Sequence, residues 1–197
     1  MEYFAEEING HTLEYINESH TYIVDGIIVP SITQILKYKF GGMYSGISKE
    51  VLQQAADRGT AVHESIEKWC KAGEESDLPE VRNFRFLMDQ YHFQPVNNEV
   101  PVILFDHNGD PLAAGRLDLV LREMGYLGLG DIKRTSVLNK EYLAYQLNLY
   151  RIAYQQCYGD DIAFLRGLHL REDTRKYVEI PINEEVAWKL VEEYFSE

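Results

Sequence analysis

Cysteine is scarce in this chain of 197 residues, which holds only Cys70 and Cys157. Two thiols in separate predicted helices build neither a disulfide framework nor a four-cysteine metal cluster, and the expected home is a reducing cytoplasm. Long apolar runs are missing too. No stretch reaches the roughly 18 apolar residues of a membrane-spanning helix. The start, Met1-Glu2-Tyr3-Phe4-Ala5-Glu6-Glu7, lacks the basic flank and apolar stretch of a secretion signal, so no membrane attachment is expected. The third shortage is positive charge: 19 Lys and Arg against 32 Asp and Glu leave a net charge of -13. That balance argues against a protein that coats nucleic acid by broad phosphate neutralisation.

What is present is an ordinary globular composition, 45% apolar and 26% charged, without repeat, low-complexity tract or linker. A single domain over residues 1–197 is expected, with an N-terminal hairpin and loop extension at 1–47, a core at 48–182 and a C-terminal helix at 183–197. The acidity is uneven. Residues 101–150 hold six acidic and five basic side chains, a net of -1, against -4 in each of the three other stretches. Within Lys133 to Arg151, four cations (Lys133, Arg134, Lys140 and Arg151) face only Glu141, so local basicity survives inside a global acid.

Thr12 to Asn17 and His20 to Val29 read as a hairpin with a short extension, turned at Glu18-Ser19 and Asp25-Gly26. Ser31-Ile32-Thr33-Gln34 is a capping box that opens a short helix through Leu36. Lys39 to Gly46, with three glycines and no period, reads as a mobile loop. Ser48 caps a long helix to Ala72, ended by Gly73, with Val51, Ala55, Val62, Ile66 and Trp69 at helical spacing. Asp77-Leu78-Pro79-Glu80 starts a further helix that ends near Tyr91. The period then changes to two: Glu99 to Phe105, Ala113 to Arg122 and Tyr126 to Lys133 read as three successive strands. Glu141 to Tyr158 is helical, Ala163 to Leu170 and Tyr177 to Ile182 are strands, and Asn183 caps a final acidic helix. The order helix, three strands, helix, strand gives an α/β class of the α+β kind, a mixed sheet flanked by helices.

The chemistry concentrates in Gly115-Arg116-Leu117-Asp118 and Asp131-Ile132-Lys133. If Met124-Gly125 is a two-residue turn, paired positions sum to 249, which sets Asp118 opposite Asp131. Like charges facing each other in a sheet are destabilising and are tolerated best with a cation between them. Two aspartates with a backbone carbonyl form the hard, all-oxygen site that suits Mg²⁺ or Mn²⁺. Lys133, on the same face as Asp131, adds a point charge suited to a phosphate, while Ile132 points into the core. The competing reading is that the aspartates are polar strand ends and Lys133 an edge lysine. Two more features lie nearby in the pattern. Arg58-Gly59-Thr60-Ala61-Val62-His63 sets His63 beside the apolar stripe of its helix, and Gln146 and Tyr150 share a helical face at i and i+4.

These four motifs, in order across 93 residues, resemble the PD-(D/E)XK nucleases of the RecB type, and within them the phage-type and mitochondrial genome maintenance exonucleases. They are R-G-T-x-V-H at Arg58 to His63, G-x-x-D at Gly115 to Asp118, D-x-K at Asp131 to Lys133, and Q-x-x-x-Y at Gln146 to Tyr150. His20-Thr21-Tyr22 and Val29-Pro30-Ser31-Ile32-Thr33 also look like the leader of phage members. The resemblance implies a restriction-endonuclease-like αβββαβ core. It implies that Asp118, Asp131 and the carbonyl of Ile132 hold Mg²⁺ or Mn²⁺ with His63 as a further ligand, and that Lys133 positions water or stabilises the transition state. It places Gln146 and Tyr150 at the metal edge, touching DNA. Glu99 matches an acid found in relatives just before the site; a buried partner for Arg116 is the equal alternative for it. Several relatives carry an iron-sulfur cluster on four cysteines, which this chain cannot build.

The implied activity is a metal-dependent DNA exonuclease working from free ends in phage or bacterial recombination, repair or replication. A recombinase or single-strand-binding protein is the implied partner. The alternatives are a non-catalytic DNA-processing or regulatory protein on the same fold, favoured by the acidity, and a structure-specific endonuclease. His11, His92, His107 and His169 lack ligand spacing. Asn108-Gly109-Asp110 reads as a turn, and Gly125, Gly128 and Gly130 as strand glycines without phosphate-loop spacing. Tyrosine is frequent, at fourteen, and several could stack on bases.

Overall fold

The computed structural model describes residues 3–196, with the backbone alone at Tyr44. Met1, Glu2 and Glu197, the ends of the expected domain, lie outside the described residues. The chain forms a mixed α/β fold with two sheets and flanking helices. The N-terminal region is larger than the expected hairpin. It is a four-stranded antiparallel meander of β1 (Tyr3–Ile8), β2 (His11–Ile16), β3 (Thr21–Val24) and β4 (Ile27–Val29). The sharp turns rest on left-handed backbone, at Asn9-Gly10 and Asp25-Gly26, where φ lies between 50° and 83°. β1 escaped the sequence reading because its burial pattern is almost wholly exposed, with Ile8 alone buried. Such a strand shows little alternation of apolar and polar residues.

Ser31 forms the expected capping box with Gln34, but α1 runs over Ile32–Phe40, a full turn beyond Leu36. A 3-10 turn over Gly41–Tyr44 follows. The expected loop from Lys39 is therefore partly helical: Phe40 packs its ring edge-on against Tyr142 and Tyr145, 5.3 and 5.6 Å away, which anchors the last turn against another helix. α2 spans Lys49–Ala72, capped by Ser48 and closed at Gly73 with φ 68°. Only Val62 and Ile66 are buried on it; Val51 and Ala55, expected on the apolar stripe, are exposed because the first turns project beyond the body. α3 follows at Pro79–Tyr91.

The second sheet has the order β5 (Gln94–Phe105), β6 (Pro111–Glu123), β7 (Tyr126–Lys133), β8 (Phe164–Leu170), β9 (Arg175–Ile180), antiparallel except for the β7–β8 pair. That parallel pair needs a crossover, supplied by α4 (Lys140–Tyr158). α5 (Glu184–Phe195) closes the fold, with the Asn183 side chain accepting from the Val186 N–H. β5 begins five residues before Glu99, and β9 lies two residues earlier than expected.

One apolar cluster joins the meander, α1, α4 and α5 to one side of this sheet, with Leu13, Val24, Ile35, Val102, Leu147 and Leu165 among its members. A second cluster packs α2 and α3 on the other side through Val62, Ile66, Phe84 and Leu87 against Leu119, Ile132 and Leu168. Both thiols are free, and buried Cys157 exchanges hydrogen bonds with the backbone of Ile103. Among the described residues no helix is long and apolar enough to cross a membrane.

Gly115 gives one contact its room. A Cβ there would lie 2.9 Å from Cε1 of Tyr150, whose buried ring comes from α4. Gly115→Ala should therefore destabilise the fold by about 1–3 kcal/mol, the usual cost of overpacking. Urea denaturation measures it, and Gly115→Ala/Tyr150→Leu should recover part of the loss. Parent stability for the single variant would mean that Tyr150 is not held against β6.

Candidate metal centre

The register of β6 and β7 follows the two-residue turn. Met124 and Gly125 both have positive φ, and the pairs run from Glu123 with Tyr126 to Leu119 with Gly130. Asp118 and Asp131 come next, where the ladder ends. There the Asp118 side chain replaces a strand partner: its Oδ2 accepts from the Ile132 N–H at 2.7 Å. Ile132 turns into the α2–α3 cluster, so alternation leaves Asp131 and Lys133 on the opposite face of β7. Lys133 Nζ lies 2.5 Å from Asp131 Oδ2 and 5.8 Å from the ring centre of Tyr142.

His63 reaches this strand end from α2. Its Nε2 meets the carbonyl oxygen of Ile132 at 3.2 Å, while its Nδ1 stands 3.5 Å from Asp118 and 3.6 Å from Glu99. Each of His63, Glu99 and Asp118 offers a ligand atom within 4.8 Å of the others. Glu99 owes its place to a backbone feature. In the middle of β5 it has φ 49°, a conformation an extended strand does not use, between Asn98 and Val100, which pair with Leu119 and Leu117. The two open readings of Glu99 are thereby separated. It sits with His63 and Asp118, whereas Arg116 forms no ion pair with it among the described residues and lies over the rings of Phe4 and Tyr15.

The electrostatics are those of charge gathered out of water. Burial raises the Asp118 carboxyl, with His63 and Lys133 pulling the other way. Burial also raises Asp131, to about 6, against the attraction of Lys133 and with the repulsion of Asp118 added. Burial alone would lower His63, but Asp118, Glu99 and Asp131 outweigh it and bring it to about 9. Lys133 is likewise raised, because Asp131 and Asp118 overcome its desolvation. The donors that come together are an imidazole and two carboxylates, beside the Ile132 carbonyl, and they suit a divalent cation of the Mg²⁺ or Mn²⁺ class; Asp131 is not among them and is held by Lys133. The raised carboxyls mark charge held out of water, whose ionised form such an ion would favour.

The remaining motif residues divide. Tyr150 is buried, its hydroxyl held well above its usual range by burial and by Tyr22, Asp118 and Asp131. Gln146 is buried one turn earlier, and its Oε1 has no hydrogen-bond partner among the described residues. Arg58 is not gathered with the ligands; it lies 3.6 Å from Glu80, a wholly buried carboxylate that also accepts from Arg134 at 2.7 Å. The expected basic stretch is also largely neutralised within the fold. Lys133 pairs with Asp131, Arg134 with Glu80, and Arg151 with Glu184. Its cations are bound up because acids distant in sequence fold onto them. His169, without ligand spacing, is buried with Nε2 2.6 Å from the carbonyl oxygen of Thr135. The sequence reading passed over Glu80 as a helix-start acid, and nothing local to it signals burial between two arginines.

His63 makes the stability of the metal-free protein depend on pH. Its folded value near 9 exceeds the unfolded 6.5, so the folded state binds more protons between them. Its contribution is complete below about pH 6.5 and is lost as pH rises through 9. In EDTA the thermal midpoint should fall over that window, and His63→Gln should flatten the fall. A variant with the parent's slope would show that His63 is not the protonated partner of these carboxylates.

No family model matches the chain, and no curated protein matches it. Solved structures do match. One of them, the crystal structure of SSO0001, aligns with a TM-score of 0.49 at 15% identity, over 85% of this chain and 75% of that one.

Proposed function

We propose that the protein is a PD-(D/E)XK-type DNA exonuclease that cleaves phosphodiester bonds with the help of Mg²⁺ or Mn²⁺. The carrying observation is the juxtaposition of two charge types at one strand end. A His63–Glu99–Asp118 group has its ligand atoms within 4.8 Å of one another, and Lys133 is ion-paired to the buried Asp131 two residues along β7. Asp118, Glu99 and His63, beside the Ile132 carbonyl, would hold the ion. When bound, it would lower the pKa of an attacking water and draw charge from a phosphate oxygen. Lys133 supplies the cation for the negative charge that builds on the phosphate, and Asp131 fixes its ammonium in place. Tyr150, which feels the charges of Asp118 and Asp131, and Gln146 one turn earlier on α4 are both buried, and on this reading they would bound the centre and keep bulk water from it.

The second reading, a non-catalytic DNA-processing or regulatory protein, draws support from the net charge of -13 and from the internal pairing of Arg134 and Arg151. It predicts DNA binding without strand cleavage. End-labelled linear DNA and closed circular DNA, incubated with Mn²⁺, Mg²⁺ or EDTA, separate the readings and set exonuclease apart from endonuclease. Cleavage that persists in excess EDTA would rule out the metal-dependent mechanism.

Two variants separate holding the ion from using it. Asp118→Asn exchanges a charged oxygen ligand for a neutral one, so Mn²⁺ affinity and cleavage should fall together. Lys133→Met keeps the stem but removes the ammonium. It should retain Mn²⁺ binding while cleavage drops roughly a hundredfold or more, as when one electrostatic stabiliser is lost. Calorimetric Mn²⁺ titration and a nuclease assay on both variants decide it. Parent-rate cleavage by Lys133→Met would return Lys133 to the role of an edge lysine.

A further inference from the structure

The meander presents aromatic rings toward the candidate centre. Phe4, Tyr15 and Tyr22 form a chain of tilted contacts, with ring centres 5.5 and 4.6 Å apart. The Arg116 guanidinium lies 4.7 Å from the Phe4 ring centre and 5.8 Å from that of Tyr15. With Tyr3, these residues and Glu99 line an open cavity of about 480 Å³. It shares Asn17, Glu99 and Arg116 with a neighbouring cavity of about 670 Å³ that is lined by His63. The cavity at the aromatic rings therefore leads to the candidate ligands.

Arg116 is unusual in a chain with 32 acidic residues: among the described residues it forms no ion pair, and its charge rests on ring faces. A guanidinium so placed keeps its donors for an outside anion. The α2 wall of the larger cavity carries Glu64 and Glu67 with Lys68, two acids against one base, and so attracts a phosphate backbone less than Arg116 does. The favourable track for a polyanion thus follows the meander, past Arg116, to the cavity that His63 lines. Ring faces beside that track stack on bases only where the bases are unpaired, because in a duplex both faces of each base are already covered.

We propose that the meander face formed by Tyr3, Phe4, Tyr15 and Arg116 is a binding subsite for single-stranded DNA, which it leads into the candidate centre. Arg116 takes a backbone phosphate and the rings take the adjoining bases. The inference rests on the nuclease reading for the use of the strand, but its binding step does not require catalysis.

Fluorescence anisotropy in EDTA at low salt tests that step, with labelled dT10, a blunt 20-base-pair duplex and free dTMP as competitor. The parent should bind dT10 more tightly than the duplex. Arg116→Gln and Phe4→Leu should each weaken dT10 binding by roughly tenfold, and Arg116→Lys by less. Circular dichroism and thermal midpoints monitor folding; Arg116→Lys, which keeps charge and stem, is the control if the neutral variant is unstable. Binding of the duplex at least as tightly as dT10 would overturn the proposal, as would parent affinity in Arg116→Gln. Competition by dTMP as strong as by unlabelled dT10 would also overturn it, in favour of a mononucleotide site. If dT10 binds as expected but no DNA is cleaved with Mn²⁺, the nuclease reading fails and the subsite stands. If Mn²⁺-dependent cleavage occurs with no preference for single strands, the reverse holds.

Discussion

The crowding of negative charge at the end of the β6–β7 ladder is the constraint to which the surrounding structure answers. Asp118, Asp131 and Glu99 come from three strand positions that would repel one another in any arrangement. Each is partnered differently: Asp118 by a backbone N–H and His63, Asp131 by Lys133, Glu99 by His63. The partners do not suffice, since both aspartates remain harder to ionise than in water. A fold selected for stability alone would place apolar residues here. Retained, partly compensated charge in a recess is the pattern of a site that spends stability on function.

Local turn chemistry explains why the centre of this arrangement was readable. Met124-Gly125 admits left-handed backbone at both positions, so the turn has two residues and the pairs out to Leu119 with Gly130 follow by counting, which leaves Asp118 and Asp131 next along the two strands. The capping residues Ser31, Ser48 and Asn183 mark their helices for the same reason, a side chain satisfying a nearby backbone donor. The G-x-x-D spacing also gains a physical meaning, since Gly115 clears space for Tyr150 from a helix that begins 25 residues later.

What stayed hidden depends on contacts between distant segments. Glu99 was marked by the resemblance alone; it comes beside His63 and Asp118 through a positive φ within a strand, which no residue type at that position announces. The basic stretch looked available because Glu80 and Glu184, which pair with Arg134 and Arg151, lie 54 and 33 residues away. The exposed β1 and the unpacked start of α2 show the opposite failure. One lacks the alternation of a strand it forms, and the other shows the apolar spacing of a packing face it does not use.

That unpacked start turns α2 into a cantilever. From Lys49 to Asp57 the helix is almost wholly exposed, and at about 1.5 Å per residue it reaches roughly 14 Å past its first brace, the Arg58–Glu80 contact. Val62 is its first buried anchor, and His63 is the next residue. A sideways load on the free arm is therefore borne at the root, by Glu80, which also holds Arg134 beside Lys133, and by the residue adjoining the imidazole. The arm is a lever whose fulcrum lies beside His63, so pressure from any bulky molecule on its tip would be felt as torque at the candidate centre.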